Sequence, residues 1–512
     1  MTEHLAHRDL ELLHAWDEQY AVAETDYLPR SPFMPLPFLA PVAIAGFSWI
    51  SGGLPVMTDV AFLLLTLLCV VNLVLELHHF SRRFGTGGLV LFGGVLIWFC
   101  YDYFKHWFGA EFSNIQWVGP DIIAKAAFFH CLLVQCMTVG LLLPWGRVVE
   151  KLFYKIREPA PEAYFTVILV MLAIGFSPYF VPGWTRESLP SVLYKLVTFQ
   201  GSYSIAWNVG RSGNLNTNWG GYVAEILNVG GVGALLGMTY AILVSKSWGQ
   251  RIFLCLVYLH FLASAFYSGR RGQIIYFALP PLVLLFLKYH AQVAEVGRRY
   301  SKRAYILAAA IGFAVLLTVQ TQITFRARGL SEVDLDQVSI TDVEGNNMFS
   351  EGLLGYARVP DETGGFFGDY FPGSRLIMPV PELVFWAAIH PIPRAAWPGK
   401  PYDRMWEWYN TLTAGTGTSG TTVSKGLVGW WYFRFGMMGV IQGGLVFGLI
   451  MRVAERALQN AQGRVIVIML SLGITTWLLR CYRDVGFLEL YTLLVGVAGL
   501  WLVARFFGST RQ

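Results

Sequence analysis

Runs of about twenty predominantly apolar residues recur along this chain, and such runs leave few folds open. No water satisfies the backbone inside a bilayer, so a stretch of this kind is stable there as a helix that closes its own hydrogen bonds. Composition agrees. Hydrophobic residues make up 55% of the 512 positions and charged residues 14%, mean hydropathy is +0.49, and a soluble domain carries roughly a quarter charged residues. Spans are read at about 36–53, 56–77, 87–104, 121–143, 163–181, 222–244, 252–268, 273–289, 304–323, 426–450, 465–480 and 485–507. The sequence therefore predicts an all-α integral membrane protein with about twelve transmembrane helices and one large extracytoplasmic loop.

The division follows from those spans. Residues 1–35 form a cytoplasmic N-terminal segment, 36–323 a first membrane region of about nine helices with an outer loop at 182–221, 324–425 the large loop, and 426–512 a last region of about three helices. The first 35 residues carry Glu, Asp and His and no short apolar core with a small-residue cleavage site, so no removable signal peptide is expected. Pro29, Pro32, Pro35, Pro37 and Pro41 argue against an early helix start. The six cysteines fall within or at the ends of apolar runs without CxxC spacing, which points to neither a zinc site nor a disulfide framework.

Basic residues set the orientation. Arg82 and Arg83; Arg147, Lys151, Lys155 and Arg157; Lys246 and Arg251; Lys288, Arg298, Arg299, Lys302 and Arg303; and Arg452, Arg456 and Arg464 fall in alternate connections. Both termini are then expected in the cytoplasm and the large loop outside. A net charge of +5 spread in this way suits a bilayer protein, and no basic motif for nucleic acid stands out.

This parity leaves arginines in short outer turns. Arg270 and Arg271 lie in Ser268-Gly-Arg-Arg-Gly272, and Arg480 and Arg483 in Arg480-Cys-Tyr-Arg-Asp484. A cation kept there against the topological bias needs a reason, either an anionic ligand gripped by the guanidinium fork or headgroup snorkelling. In the 182–221 loop, Arg211-Ser-Gly-Asn-Leu-Asn-Thr-Asn-Trp-Gly-Gly221 offers Asn216 and Trp219 for hydrogen bonding and stacking on sugar rings, or simply a turn beside an aromatic belt. Gly230, Gly233 and Gly237 read as close helix packing.

The large loop lacks a strong helix or strand period, yet it is rich in aromatic residues, which argues for function rather than disorder. It holds Arg326, Arg328, Arg394, His390, Asp403, Lys400 and Trp397. His390 is suited to take a proton from a hydroxyl at neutral pH or to a structural role before a proline-rich turn. Asp369, Glu382, Asp403 and Glu407 are alternative bases. HExxH, GxSxG and Walker-type segments do not occur.

The segment Ile392-Pro-Arg-Ala-Ala-Trp-Pro-Gly-Lys-Pro401, then Gly420-Thr-Thr and Gly426-Leu-Val-Gly-Trp-Trp-Tyr-Phe-Arg-Phe-Gly-Met-Met-Gly439, resembles the Wzy-type O-antigen and exopolysaccharide repeat-unit polymerases. Ser268-Gly-Arg-Arg-Gly272 resembles the arginine-glycine turn of those polymerases and of O-antigen ligases. One departure stands out: Trp430 follows Gly429 where the family often has an acidic residue. The resemblance implies a GT-C-like polytopic glycosyltransferase in the bacterial cytoplasmic membrane, with its active site facing outward. It implies an undecaprenyl-pyrophosphate-linked donor and a lipid-linked acceptor, inversion at the sugar, no metal or other cofactor, and a chain-length-determining co-polymerase as a possible partner. Under it, Arg270, Arg271, Arg394, Lys400, Arg480, Arg326 and Arg328 bind pyrophosphate, Trp397, Asn216 and Trp219 contact sugar, and His390 or Asp403 is the base. An O-antigen ligase would share the arginines. A lipid-linked oligosaccharide transporter is the alternative from another class; it predicts broken helices and charge at the midplane, where this sequence looks poor in charge.

Overall fold

In the computed structural model every described element is helical. The structure describes residues 34–78, 85–105, 119–143, 161–180, 220–267, 379–389, 426–459 and 464–482, with Ala461 and scattered residues at 190–194, 276–285, 392–401 and 485–502. The helices are α1 (Leu36–Ile50), α2 (Pro55–His78), α3 (Gly85–Val95), α4 (Tyr101–Lys105), α5 (Pro120–Leu142), α6 (Pro161–Phe176), α7 (Gly220–Leu243), α8 (Trp248–Tyr267), α9 (Pro379–Ile389), α10 (Gly426–Gln459) and α11 (Val465–Cys481). A π-helical turn, Leu96–Cys100, joins α3 to α4. Among the described residues, four stretches are long and apolar enough to cross a membrane: Pro55–Glu76, Pro120–Leu142, Glu162–Phe180 and Arg434–Gln459. This is the architecture of a helical membrane protein. The expected spans at 304–323 and over most of 273–289 and 485–507, and the N-terminal segment, lie outside the described residues.

Two expectations are corrected. The large loop contains a helix, α9, within its apolar stretch Pro379-Val-Pro-Glu-Leu-Val-Phe-Trp-Ala-Ala-Ile389; Pro at a helix start is pre-organised because its missing N–H is an unbonded donor there anyway. The first span starts where expected, at Leu36, with Pro41 inside α1. Arg452 and Arg456 are not in a connection but on the last turns of α10, and Arg452 is buried.

The largest departure is in α10. The sequence predicts one span at 426–450, but at Gly436 the backbone leaves the helical region, with φ 59° and ψ −146°, a conformation open essentially to glycine alone. In an unbroken helix residues 431 and 443 would stand about 18 Å apart along the axis. Instead a β-carbon on Gly443 would lie 2.4 Å from the Trp431 ring, and one on Gly439 2.4 Å from the Trp431 carbonyl oxygen. The chain doubles back at Gly436. Residues 426–435 form a half-helix packed on the beginning of the long arm that follows.

That long arm is the spine. It runs parallel to α5, since Gly444 meets Leu133 and Cys136 while Gly448 meets Met137 and Gly140. A β-carbon on Gly448 would come within 2.1 Å of the Met137 carbonyl oxygen, and one on Gly140 within 2.4 Å of that of Leu445. Small residues that let backbones touch are what holds helices together where lipid removes the hydrophobic drive. The predicted glycine face of α7 behaves in the same way: Gly230 lies on Gly175 of α6, and Gly233 and Gly237 on Met171 and Ile168. Two apolar cores result. One joins α1, α2, α3, α5, the half-helix and the end of α11; the other joins α6, α7, α8, the end of α10 and the start of α11. Because α10 and α11 contribute to both, they tie the two together.

Candidate functional site

The half-helix carries the chemistry. Its second residue is anchored where the Leu427 amide donates to the Tyr482 carbonyl just past α11, at 3.1 Å, and the Tyr482 hydroxyl in turn donates to the Leu91 carbonyl of α3. Residues four apart share a helix face, so Trp430 and Arg434 point the same way. The Arg434 guanidinium lies 4.4 Å from the centre of the Trp430 ring and 5.8 Å from that of Trp386 on α9. Arg434 is 3% exposed and Glu382 of α9 is fully buried. Their Nη1 and Oε1 atoms are 3.3 Å apart. The same carboxylate oxygen accepts from the Trp386 indole N–H at 2.9 Å.

The opposite face of the half-helix meets a second cation. Tyr432 packs on Phe129 of α5, with ring centres 4.3 Å apart, and Lys125, also on α5, sits over the rings of Tyr432 and Trp49 at 5.4 and 5.8 Å. Charged groups leave water only when something compensates them. Here Glu382 and the aromatic faces do so, and cation–π attraction is strongest for such desolvated cations. At the same end of the bundle the Tyr103 hydroxyl donates to Asp59 at 2.5 Å. The arrangement holds the Arg434 side chain between a buried carboxylate and two tryptophan faces.

The other end of the bundle has its own polar cluster. The first turn of α3 closes around Glu455 of α10: Thr86 Oγ1 and the Gly87 amide, the latter at 3.1 Å, donate to Glu455 Oε2, while Gln459 donates to Oε1 at 2.8 Å. A carboxylate at a helix N-terminus satisfies amides that have no intrahelical partner. Buried Glu76 lies against Gly88 of the same turn. Glu76, Lys125, Glu382, Arg434, Arg452 and Glu455 are all buried.

Of the residues picked from sequence, three lie among the described ones. Lys400 Nζ donates to the Ile392 carbonyl at 2.9 Å and its amide to the Trp397 carbonyl, which closes a turn of the Ile392–Pro401 segment. Trp397 is exposed at the surface of that turn. Arg480 occupies the last turn of α11, half-buried. His390, Asp403, Arg270, Arg271, Arg394, Arg326, Arg328, Asn216 and Trp219 lie outside the described residues.

Arg434 and Lys125 were missed as site residues, and Glu382 was named only as an alternative base. The signal was present: Arg434 and Lys125 are single cations in otherwise apolar runs, and an ionisable residue inside a span marks function by default. Comparison with protein-family models, with curated proteins and with solved structures finds no match for this chain.

Proposed function

We propose that this chain is a polysaccharide repeat-unit polymerase of the bacterial cytoplasmic membrane. It transfers the growing glycan from undecaprenyl pyrophosphate to a new lipid-linked repeat unit at the outer face, on a GT-C-like frame of about twelve spans with both termini in the cytoplasm. One observation carries the reading. The helix α9, which leads into the Ile392–Pro401 segment, supplies the Glu382 that pairs with Arg434 inside Gly426–Gly439.

The chemistry follows from charge. The acceptor hydroxyl oxygen attacks the anomeric carbon, the bond to the pyrophosphate oxygen breaks with inversion, and the pyrophosphate leaves with the electron pair. His390 or Asp403 takes the hydroxyl proton. Negative charge grows on the leaving group, and arginines already oriented stabilise it without reorganisation. Arg270, Arg271, Arg394 and Arg480, with Lys400, serve that role. Arg326 and Arg328 hold a second lipid phosphate, and Trp397, Asn216 and Trp219 contact sugar.

The test is a sizing gel of the cell's surface or secreted polysaccharide after deletion of the gene. Loss of long polymer, with single repeat units accumulating on the lipid carrier and wild type restoring length, is the expected result. Arg271→Lys and Arg394→Lys are each expected to fail to restore it nearly as fully as alanine, because a point charge does not reproduce a bidentate fork. Full activity in both lysine variants would remove the pyrophosphate role. Polymer made on the carrier but not attached to its final acceptor would mean a ligase.

A second reading has one observation in its favour. The break at Gly436 beside the buried Arg434–Glu382 pair is the kind of discontinuous helix that transporters use, and an unchanged glycan profile would move the assignment to a lipid-linked oligosaccharide transporter. Topology is checked separately: a cysteine at Ser350 reacts with an impermeant thiol reagent added outside, whereas one at Gly297 does not. Labelling at Gly297 alone would invert the orientation.

A further inference from the structure

The turn from α7 to α8 is basic and tightly held. Ser245 is buried, and its hydroxyl donates to the Gln250 side chain at 3.1 Å. Its carbonyl accepts the Arg251 Nε–H at 2.8 Å, and the guanidinium lies 6.0 Å from the centre of the Trp248 ring. A carbonyl and an aromatic face orient that guanidinium but carry no counter-charge, and the macrodipole opposes a cation in the first turn of a helix. No Asp or Glu occurs between Glu225 and Glu295. Among the described residues neither Arg251 nor the exposed Lys246 has an acidic partner.

An apolar stripe starts at the same point. Trp248 is 72% exposed, and Ile252, Leu256 and Leu259, which follow it at helical spacing, are exposed too. Leu254 and Tyr258, elsewhere on α8, fill the core. From Trp248 to Leu259 the stripe runs about 16 Å along the axis, close to half of the roughly 30 Å hydrocarbon layer of a bilayer. Uncompensated cations thus stand at one end of an aliphatic surface as deep as one leaflet, with a tryptophan at the boundary where such rings meet headgroups.

We infer that the α7–α8 turn and the exposed stripe of α8 bind one anionic phospholipid: Lys246 and the Arg251 Nη atoms hold its phosphate, and an acyl chain lies along Trp248 to Leu259. The turn engages only the Nε of Arg251, which leaves the fork that bonds phosphate oxygens in pairs. A zwitterionic lipid fits the stripe equally well, but its own cation offsets its phosphate, so the head sets the preference. The inference rests on α8 being a span and not on the polymerase chemistry; an unchanged glycan profile on gene deletion would remove that chemistry and not this site.

The full-length protein, delipidated in a neutral detergent, is titrated with dioleoylphosphatidylglycerol, with dioleoylphosphatidylcholine, which has the same chains, and with glycerol 3-phosphate, which has none. Bound lipid is read by native mass spectrometry. Wild type is expected to hold phosphatidylglycerol more tightly than phosphatidylcholine. Lys246→Gln is expected to weaken phosphatidylglycerol about fivefold, and Lys246→Gln with Arg251→Gln about thirtyfold, with phosphatidylcholine binding unchanged. Lys246 makes no side-chain hydrogen bond among the described residues, so the single variant decides the matter even where Arg251→Gln unsettles the turn. Equal affinity of wild type for the two lipids, or unchanged phosphatidylglycerol binding in Lys246→Gln, overturns the inference. So does competition by glycerol 3-phosphate at the affinity of the lipid, which would mean a site for free anions. A disulfide between two copies formed by Leu256→Cys and not by wild type would show that a second copy covers the stripe, and would overturn it as well.

Discussion

Replacing Glu382 by alanine is expected to destabilise the protein by about 3–5 kcal/mol, because it strands the Arg434 charge in a buried, aromatic-walled position. The carboxylate is fully buried, Arg434 is 3% exposed, and Trp386 loses its acceptor at the same time. The measurement is thermal unfolding in detergent, read against Arg434→Met and against the double variant Glu382→Leu with Arg434→Met. An apolar pair of similar volume often matches or exceeds a buried ion pair in stability, so the double variant is expected to recover most of the loss. If Glu382→Ala melts at the wild-type temperature, the pair does not hold α9 to the half-helix. A double variant that folds but makes no polymer would assign Arg434 to function rather than to folding.

The second large effect lies at the crossing of α5 and α10. Gly448→Val is expected to cost about 3 kcal/mol or more, since even a β-carbon there would come within 2.1 Å of the Met137 carbonyl oxygen and 2.9 Å of the Gly140 α-carbon. Backbone atoms face it from the partner helix, so no rotamer change relieves the clash. Separation of the two helices would also displace Lys125 from Tyr432, because α5 carries the one and α10 the other. Gly93→Ala is the control: nothing among the described residues lies within 4 Å of a β-carbon at that position, and alanine there is expected to be neutral or to stabilise by up to about 1 kcal/mol. Similar melting temperatures for the two variants would rule out backbone approach as the cause.

Much of this protein was legible from the chain. Apolar length and composition gave helices close to the observed α2, α5, α6 and α7, because in a bilayer backbone satisfaction leaves so little choice. The Gly230, Gly233 and Gly237 face was legible for a similar reason: small residues at helical spacing have one common use between apolar helices. Arg434 shows where that kind of reading stops. It was quoted within a motif, but its partner Glu382 lies 52 positions away, and no local period links them.

Sequence alone thus determined that the chain forms helices of membrane length, and that Gly230, Gly233 and Gly237 form a packing face, since both follow from local composition and spacing. Only the tertiary structure decided that α10 breaks at Gly436 and that its half-helix stands between Lys125 of α5 and Glu382 of α9. Each of these depends on which distant helices are neighbours. Burial, and with it the worth of every charge, is a property of that arrangement and not of any segment taken by itself.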